Sequence, residues 1–331
     1  MNLNEILKSI KSDLSPFDFA EKAEDSLVSM SKKSFSAQEQ IGIERAIQKA
    51  LMQTAKNIQF ERKKSRKSYP QYAKEYYSRL VLPYVESNSN DLQNAINESQ
   101  IICVGDFHSL KDSKIALLNL LKKTKVPINL CMECLPQSQQ IKVEKYMLNE
   151  ISQIPFSAGW YAPQDLFGTI FQYAKEHPDL INLIAIGPNY TQDGDFSTSD
   201  KIMAPIISRN AINGRKTFVF TGDYHNAPNH LPSKIKKHSN IQNSVIIYQN
   251  STNIYWNMRH NGQINNIVRL SEQEFCLFNT SPLIKYQSAI DQLDDEDYSG
   301  LTPDQKVSKI LKAVYLHLLL GNKNQKSNLD E

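Results

Sequence analysis

The sequence has no apolar run approaching the roughly 20 residues that a membrane-spanning helix needs. Its C-terminal run Ala313 to Leu320 is far too short. Met1 to Pro16 alternates apolar and charged residues, without the continuous apolar core of a secretory signal. No lipidation-type cysteine follows, because the first cysteine is Cys103. These absences predict a cytoplasmic location. Charge of one sign is also missing. A net charge of +3 is too small to argue for nucleic acid. There is no glycine-rich phosphate loop. Cysteine is scarce, with Cys103, Cys131, Cys134 and Cys276 all in apolar, strand-like runs. Cys131 and Cys134 form a C-x-x-C, but residues three apart on a strand face opposite ways. No second such pair completes a zinc site, so buried free thiols are expected.

What is present is an alternation of strand and helix signals. Residues 1–95 read as a helical N-terminal region. Ser36 and Glu39 suit a capping box, and Ile43, Ile47, Leu51, Ala55 and Ile58 recur at helical spacing. The basic stretch Arg62 to Lys67 precedes Tyr69, Tyr72, Tyr76 and Tyr77. A solvated helix end followed by a tyrosine face packed on the core is favoured over a nucleic-acid or lipid surface. Residues 96–290 alternate apolar strands with helices, which argues for an α/β domain. Its mostly parallel sheet is sandwiched by helices. Strands are predicted at Ile101 to Val104, Ile128 to Met132, Asn182 to Ile186, Thr217 to Phe220 and Ser244 to Tyr248. Asn253 to Met258, Ile264 to Val268 and Phe275 to Phe278 read as added antiparallel strands around a turn at Asn261-Gly262. Residues 291–331 read as an acidic linker, a C-terminal helix and a polar tail.

Two motifs of the same form carry the chemistry: Gly105-Asp106-Phe107-His108 and Gly222-Asp223-Tyr224-His225. Each follows an apolar strand, and ligands of open α/β sheets bind outside such strand ends. Glu133 ends a third apolar run, where an unpartnered carboxylate would be costly to bury. Asp106, His108, Glu133, Asp223 and His225 are therefore expected to converge. Such a set suits a divalent metal or a carboxylate-oriented histidine base. His230 could join them, or Asn229 could cap the helix that follows.

The motifs resemble those of the ChaN-like branch of the haem-binding uptake, Tiki superfamily. The resemblance rests on a strand ending in Gly-acid-x-His, a second ending in a lone Glu, and a late Gly-acid-x-His followed by Pro228-Asn229-His230-Leu231-Pro232. Tyr255-Trp256 and the stretch Phe275 to Leu283 extend it, over roughly residues 70 to 290. The resemblance implies an α/β fold with His108, Glu133 and His225 at its site, and Asp106 and Asp223 where Glu is usual. Its members include haem-binding lipoproteins, metal-dependent proteases and esterases that use a histidine base.

Three readings follow. One is a hydrolase acting on a small-molecule or peptide substrate, with His108, Glu133 and His225 catalytic, with or without a divalent metal. Another is a haem- or iron-binding protein without catalysis, with Tyr224 and His225, or His230, near the haem. The weakest is a non-catalytic scaffold whose N-terminal region binds a partner.

Overall fold

The computed structural model describes residues 68–80, 83–154, 164–189, 195–212, 214–239, 241–262 and 265–286. It also describes the isolated positions 38, 41–42, 45, 48, 52 and 288. The chain divides into two units, Met1–Arg62 with Tyr286–Glu331, and Lys63–Lys285. In the first unit Gln38, Ile41, Gly42, Arg45, Gln48 and Met52 are helical. The rest of the 36–58 helix, the basic stretch 62–67, the acidic run and the C-terminal helix lie outside the described residues.

The second unit holds α1 (Tyr69–Arg79), β1 (Val85–Glu86), α2 (Ser89–Glu98), β2 (Ile101–Asp106), α3 (Lys111–Lys123) and β3 (Ile128–Pro136). A 3-10 turn (Gln137–Gln139) then leads into α4 (Gln140–Met147), α5 (Gln164–Glu176), β4 (Ile181–Gly187), α6 (Phe196–Ala211) and β5 (Lys216–Gly222). A second 3-10 turn (Asp223–Asn226) precedes α7 (Leu231–His238), β6 (Ser244–Gln249), α8 (Thr252–His260), β7 (Ile267–Ser271) and β8 (Glu274–Leu277). No helix among the described residues is long and apolar enough to cross a membrane.

The strands form one sheet in the order β1-β7-β8-β6-β2-β5-β3-β4. The run from β8 to β4 is parallel, and β7 pairs antiparallel with β8 and with β1. The central strands are largely apolar because helices cover both faces. On one face, α2, α3, α4 and α5 pack on Ile102, Val104, Leu130, Phe218 and Val245. On the other, α1, α6, α7 and α8 pack on Cys103, Cys131, Val219, Ile246 and Tyr248. Burying Leu117 or Leu121 of α3 contributes about 1.5–3 kcal/mol each. Tyr72 and Tyr76 of α1 are buried, as the tyrosine-face reading requires.

Three expectations are corrected. Asn253 to Met258 is helix, not strand. Ile254, Trp256 and Met258 alternate, but Ile254 and Met258 are also four apart and share a buried helical face. The antiparallel pairings are therefore those of β7, with β8 and with β1. Second, β1 lies in a polar run after Pro83. Two residues paired only with β7 carry no periodic signal. Third, Glu133 is not a strand end. β3 continues to Pro136, and its register with β4 shifts between Met132 and Pro136.

Topology explains why these places matter. The chain leaves β2 for α3 on one face and leaves β5 for α7 on the other. From β3 it goes to α4, on the first face again. β5 is therefore flanked on both sides by a topological switch point, where an α/β sheet opens a crevice.

Candidate functional site

The two motifs end β2 and β5, which are hydrogen-bonded neighbours with Asp106 opposite Gly222. In sequence they look alike, but they behave differently. In the first, the acid holds its own histidine: His108 Nδ1 lies 2.9 Å from Asp106 Oδ2. Asp106 is buried, and its Oδ1 accepts from Ser113 Oγ at 2.5 Å and Lys114 Nζ at 2.6 Å. Burial would raise its pKa, yet Lys114 and His108 outweigh that and hold it at about 2. The His108 side chain is 39% exposed.

The second motif opens into a 3-10 turn, so Asp223 and His225 diverge. Asp223 Oδ2 meets the buried Lys285 Nζ at 3.1 Å. His225 turns instead to Asp200 on α6 and to Glu133. Its Nδ1 lies 2.5 Å from Asp200 Oδ1, and its Nε2 is 3.4 Å from Glu133 Oε1. Burial would drive the ring neutral, but Glu133 and Asp200 reverse this and lift its pKa to about 10. Glu133 Oε2 accepts from the Gly222 N–H at 2.7 Å. Burial would raise the pKa of Glu133 too. His225, His108 and that N–H bring it down to about 2. Asp200 Oδ2 accepts from Tyr72 O–H at 2.6 Å and Lys234 Nζ at 2.9 Å.

The expected five residues thus lie towards the C-terminal ends of β2, β3 and β5 in three sets, Asp106 with His108, Asp223 with Lys285, and His225 with Glu133 and Asp200. Asp200, Lys114, Lys285 and Tyr72 complete them. The charged residues of this added set were visible only as charges beside apolar helical stripes, such as Asp200 between Phe196 and Met203. His230 is buried and stacks on Tyr72 at 3.7 Å between ring centroids. Its Nδ1 lies 2.7 Å from Tyr224 O and its Nε2 2.6 Å from Glu75 Oε2. Asn229 does not cap α7; its side-chain amide bonds Glu75.

These contacts bear on the divalent-metal expectation. Asp106 accepts from Lys114, Asp223 from Lys285, Glu133 from His225, and Asp200 from His225 and Lys234. Each of these carboxylates is paired with a cation of the chain itself. Among the described residues, no group of three or more His, Cys, Asp or Glu side chains could hold a metal ion. The C-x-x-C adds none: all four thiols are free and buried, and burial lifts Cys103 to about 12 and raises Cys131 and Cys134.

Two results are expected from this geometry. The first concerns His225. A raised pKa in the folded state stabilises fully below the unfolded value, and that contribution is lost as pH rises through about 10. The ring carbon signals of His225 are therefore expected to stay at imidazolium positions from about pH 6 to about pH 8, where an unperturbed histidine deprotonates. A midpoint near neutrality in a two-dimensional NMR titration contradicts this. The second concerns Gly187 on β4. A Cβ there would meet the Glu133 carbonyl oxygen at 2.1 Å, at the irregular stretch of β3. Gly187→Ala is expected to lose about 1–3 kcal/mol, as other overpacking changes do. An unchanged urea midpoint contradicts it.

The site therefore defines an α/β protein with a histidine–carboxylate cluster beside the switch points of its sheet. Residues 92–190 match the family model described as "Haem-binding uptake, Tiki superfamily, ChaN". That span holds Asp106, His108 and Glu133, and the ChaN-like resemblance read from the motifs stands on it. No curated protein matches the chain. Among solved structures, it is similar to one titled "Cofacial heme binding to ChaN of Campylobacter jejuni". The identity is 12%, over 58% of this chain and 91% of that one, with a TM-score of 0.40.

Proposed function

We propose that the crevice is a metal-independent acid–base site of hydrolase type, with His108 as general base, acting on a small-molecule or peptide substrate. The observation that carries this reading is the Asp106–His108 pair. A part-exposed imidazole is held through Nδ1 by a buried carboxylate that Ser113 and Lys114 fix in turn. Such a carboxylate sets the tautomer and stabilises the imidazolium that forms when the ring takes a proton. Glu133 is kept ionised by His225, His108 and the Gly222 N–H. His225, kept cationic by Asp200, holds Glu133 in place. Glu133 and His225 are thus positioning groups.

A second reading, haem binding, is favoured by the description of the matched family. His225, His230 and Tyr224 fit it poorly. Both ring nitrogens of His225 and of His230 face partners within the chain, and the Tyr224 hydroxyl lies 3.3 Å from that of Tyr77. Axial ligation needs a donor released from such contacts. One experiment separates the readings. Chelator-treated protein is assayed against esters, lactones and amides, then titrated with haemin. Turnover without added metal supports the first reading. A stoichiometric Soret band with no turnover supports the second.

A further inference from the structure

The glycines that open the two motifs are not demanded by the backbone. Gly222 has φ −52° and ψ 143°, extended values open to L residues with a side chain. Among the described residues, glycines of positive φ are Gly214 and Gly262, and neither motif glycine is one of them. What the missing side chains provide is room. A Cβ on Gly222 would stand 3.1 Å from both Cε1 and Nε2 of His108. A Cβ on Gly105 would stand 2.5 Å from Asp223 Oδ1. Relaxed carbon contacts sit at about 3.5–4.0 Å. Each glycine therefore gives its bare Cα to a side chain of the other motif. The β2–β5 register, which sets Asp106 opposite Gly222, brings them together.

At Gly222 this bears on the chemistry. Its N–H donates to Glu133 Oε2, and that oxygen would lie 3.6 Å from an added Cβ, an ordinary contact. A methyl group there would spare Glu133 and press on the His108 ring. We propose that Gly222 is a positioning residue whose bare Cα seats the His108 imidazole beside Asp106. This rests on His108 being the general base, as proposed above. With the seat filled, the ring has to give by a few tenths of an ångström. Its 2.9 Å contact with Asp106 Oδ2 is then disturbed. The ring is part-exposed, so it yields without unpacking the core.

The first part of the test needs neither substrate nor variant. NMR spectra of the whole labelled chain are expected to show a nuclear Overhauser cross-peak between His108 Hε1 and a Gly222 Hα. In Gly222→Ala, the His108 ring signals are expected to move. The second part measures turnover on an ester, lactone or amide that the chain cleaves. Gly222→Ala is expected to lower kcat about tenfold, given that a misplacement of about 1 Å costs roughly 10²-fold. KM should barely change, as for a contact that matters in the transition state. Added to His108→Gly, the same substitution should cost nothing more, because no ring remains to be displaced. A missing cross-peak, unmoved His108 signals, or an equal loss in both backgrounds overturns the proposal. If His108→Gly is inactive and Gly222→Ala is not slowed, the positioning role alone falls. If His108→Gly turns over like the unsubstituted chain, the general-base reading falls and takes the positioning role with it.

Discussion

Asp200→Ala lowers the stability of the fold by about 3–5 kcal/mol, the usual cost of breaking a buried ion pair by removing one partner. Asp200 is fully buried and meets His225, Lys234 and the Tyr72 hydroxyl. Without it, a buried imidazolium loses one of its two carboxylates and the Lys234 ammonium loses its partner at 2.9 Å. For a body of this size that loss lowers the melting temperature by on the order of 10 °C. Asp200→Asn keeps the volume and an acceptor, so it costs less. Calorimetry of the variants checks both, and an Asp200→Ala loss below about 1 kcal/mol, the level of an exposed pair, contradicts the role given to this residue.

His108→Ala has the second large effect, on turnover. Removing a positioned general base costs about 10²- to 10⁴-fold in rate. The ring is part-exposed, so stability should change little. Asp106→Asn is expected to lose activity as well, through the wrong tautomer, but it also strands the buried Lys114. The two variants thus differ in their melts. Comparing kcat/KM with thermal unfolding separates loss of chemistry from loss of fold. Equal kcat/KM in His108→Ala and the unsubstituted protein contradicts the assignment.

The same contrast explains what could be read from the residues. The parallel strands announced themselves because strands buried on both faces are continuous apolar runs, as at Ile101 to Val104 and Thr217 to Phe220. The motif residues were found because polar groups interrupt those runs. Partners that sit on helices were not found. Asp200 becomes meaningful only when α6 lies on the sheet, and Lys285 only when its Nζ meets Asp223. Counting carboxylates and histidines in two motifs omitted the lysines that neutralise them. The helix at Thr252–His260 was misread because its apolar residues satisfy two periods at once. β1 could not be read because edge pairing of two residues leaves no pattern.

The central claim is that His108, oriented by Asp106, is a general base that needs no metal. Chemical rescue tests it most directly. His108→Gly is assayed, after chelator treatment, on whichever ester, lactone or amide the unsubstituted protein cleaves, with and without added imidazole. The account predicts that His108→Gly is nearly inactive and regains part of its rate in proportion to the neutral imidazole added. Activity that returns only with a divalent metal, or that never depended on His108, would contradict it.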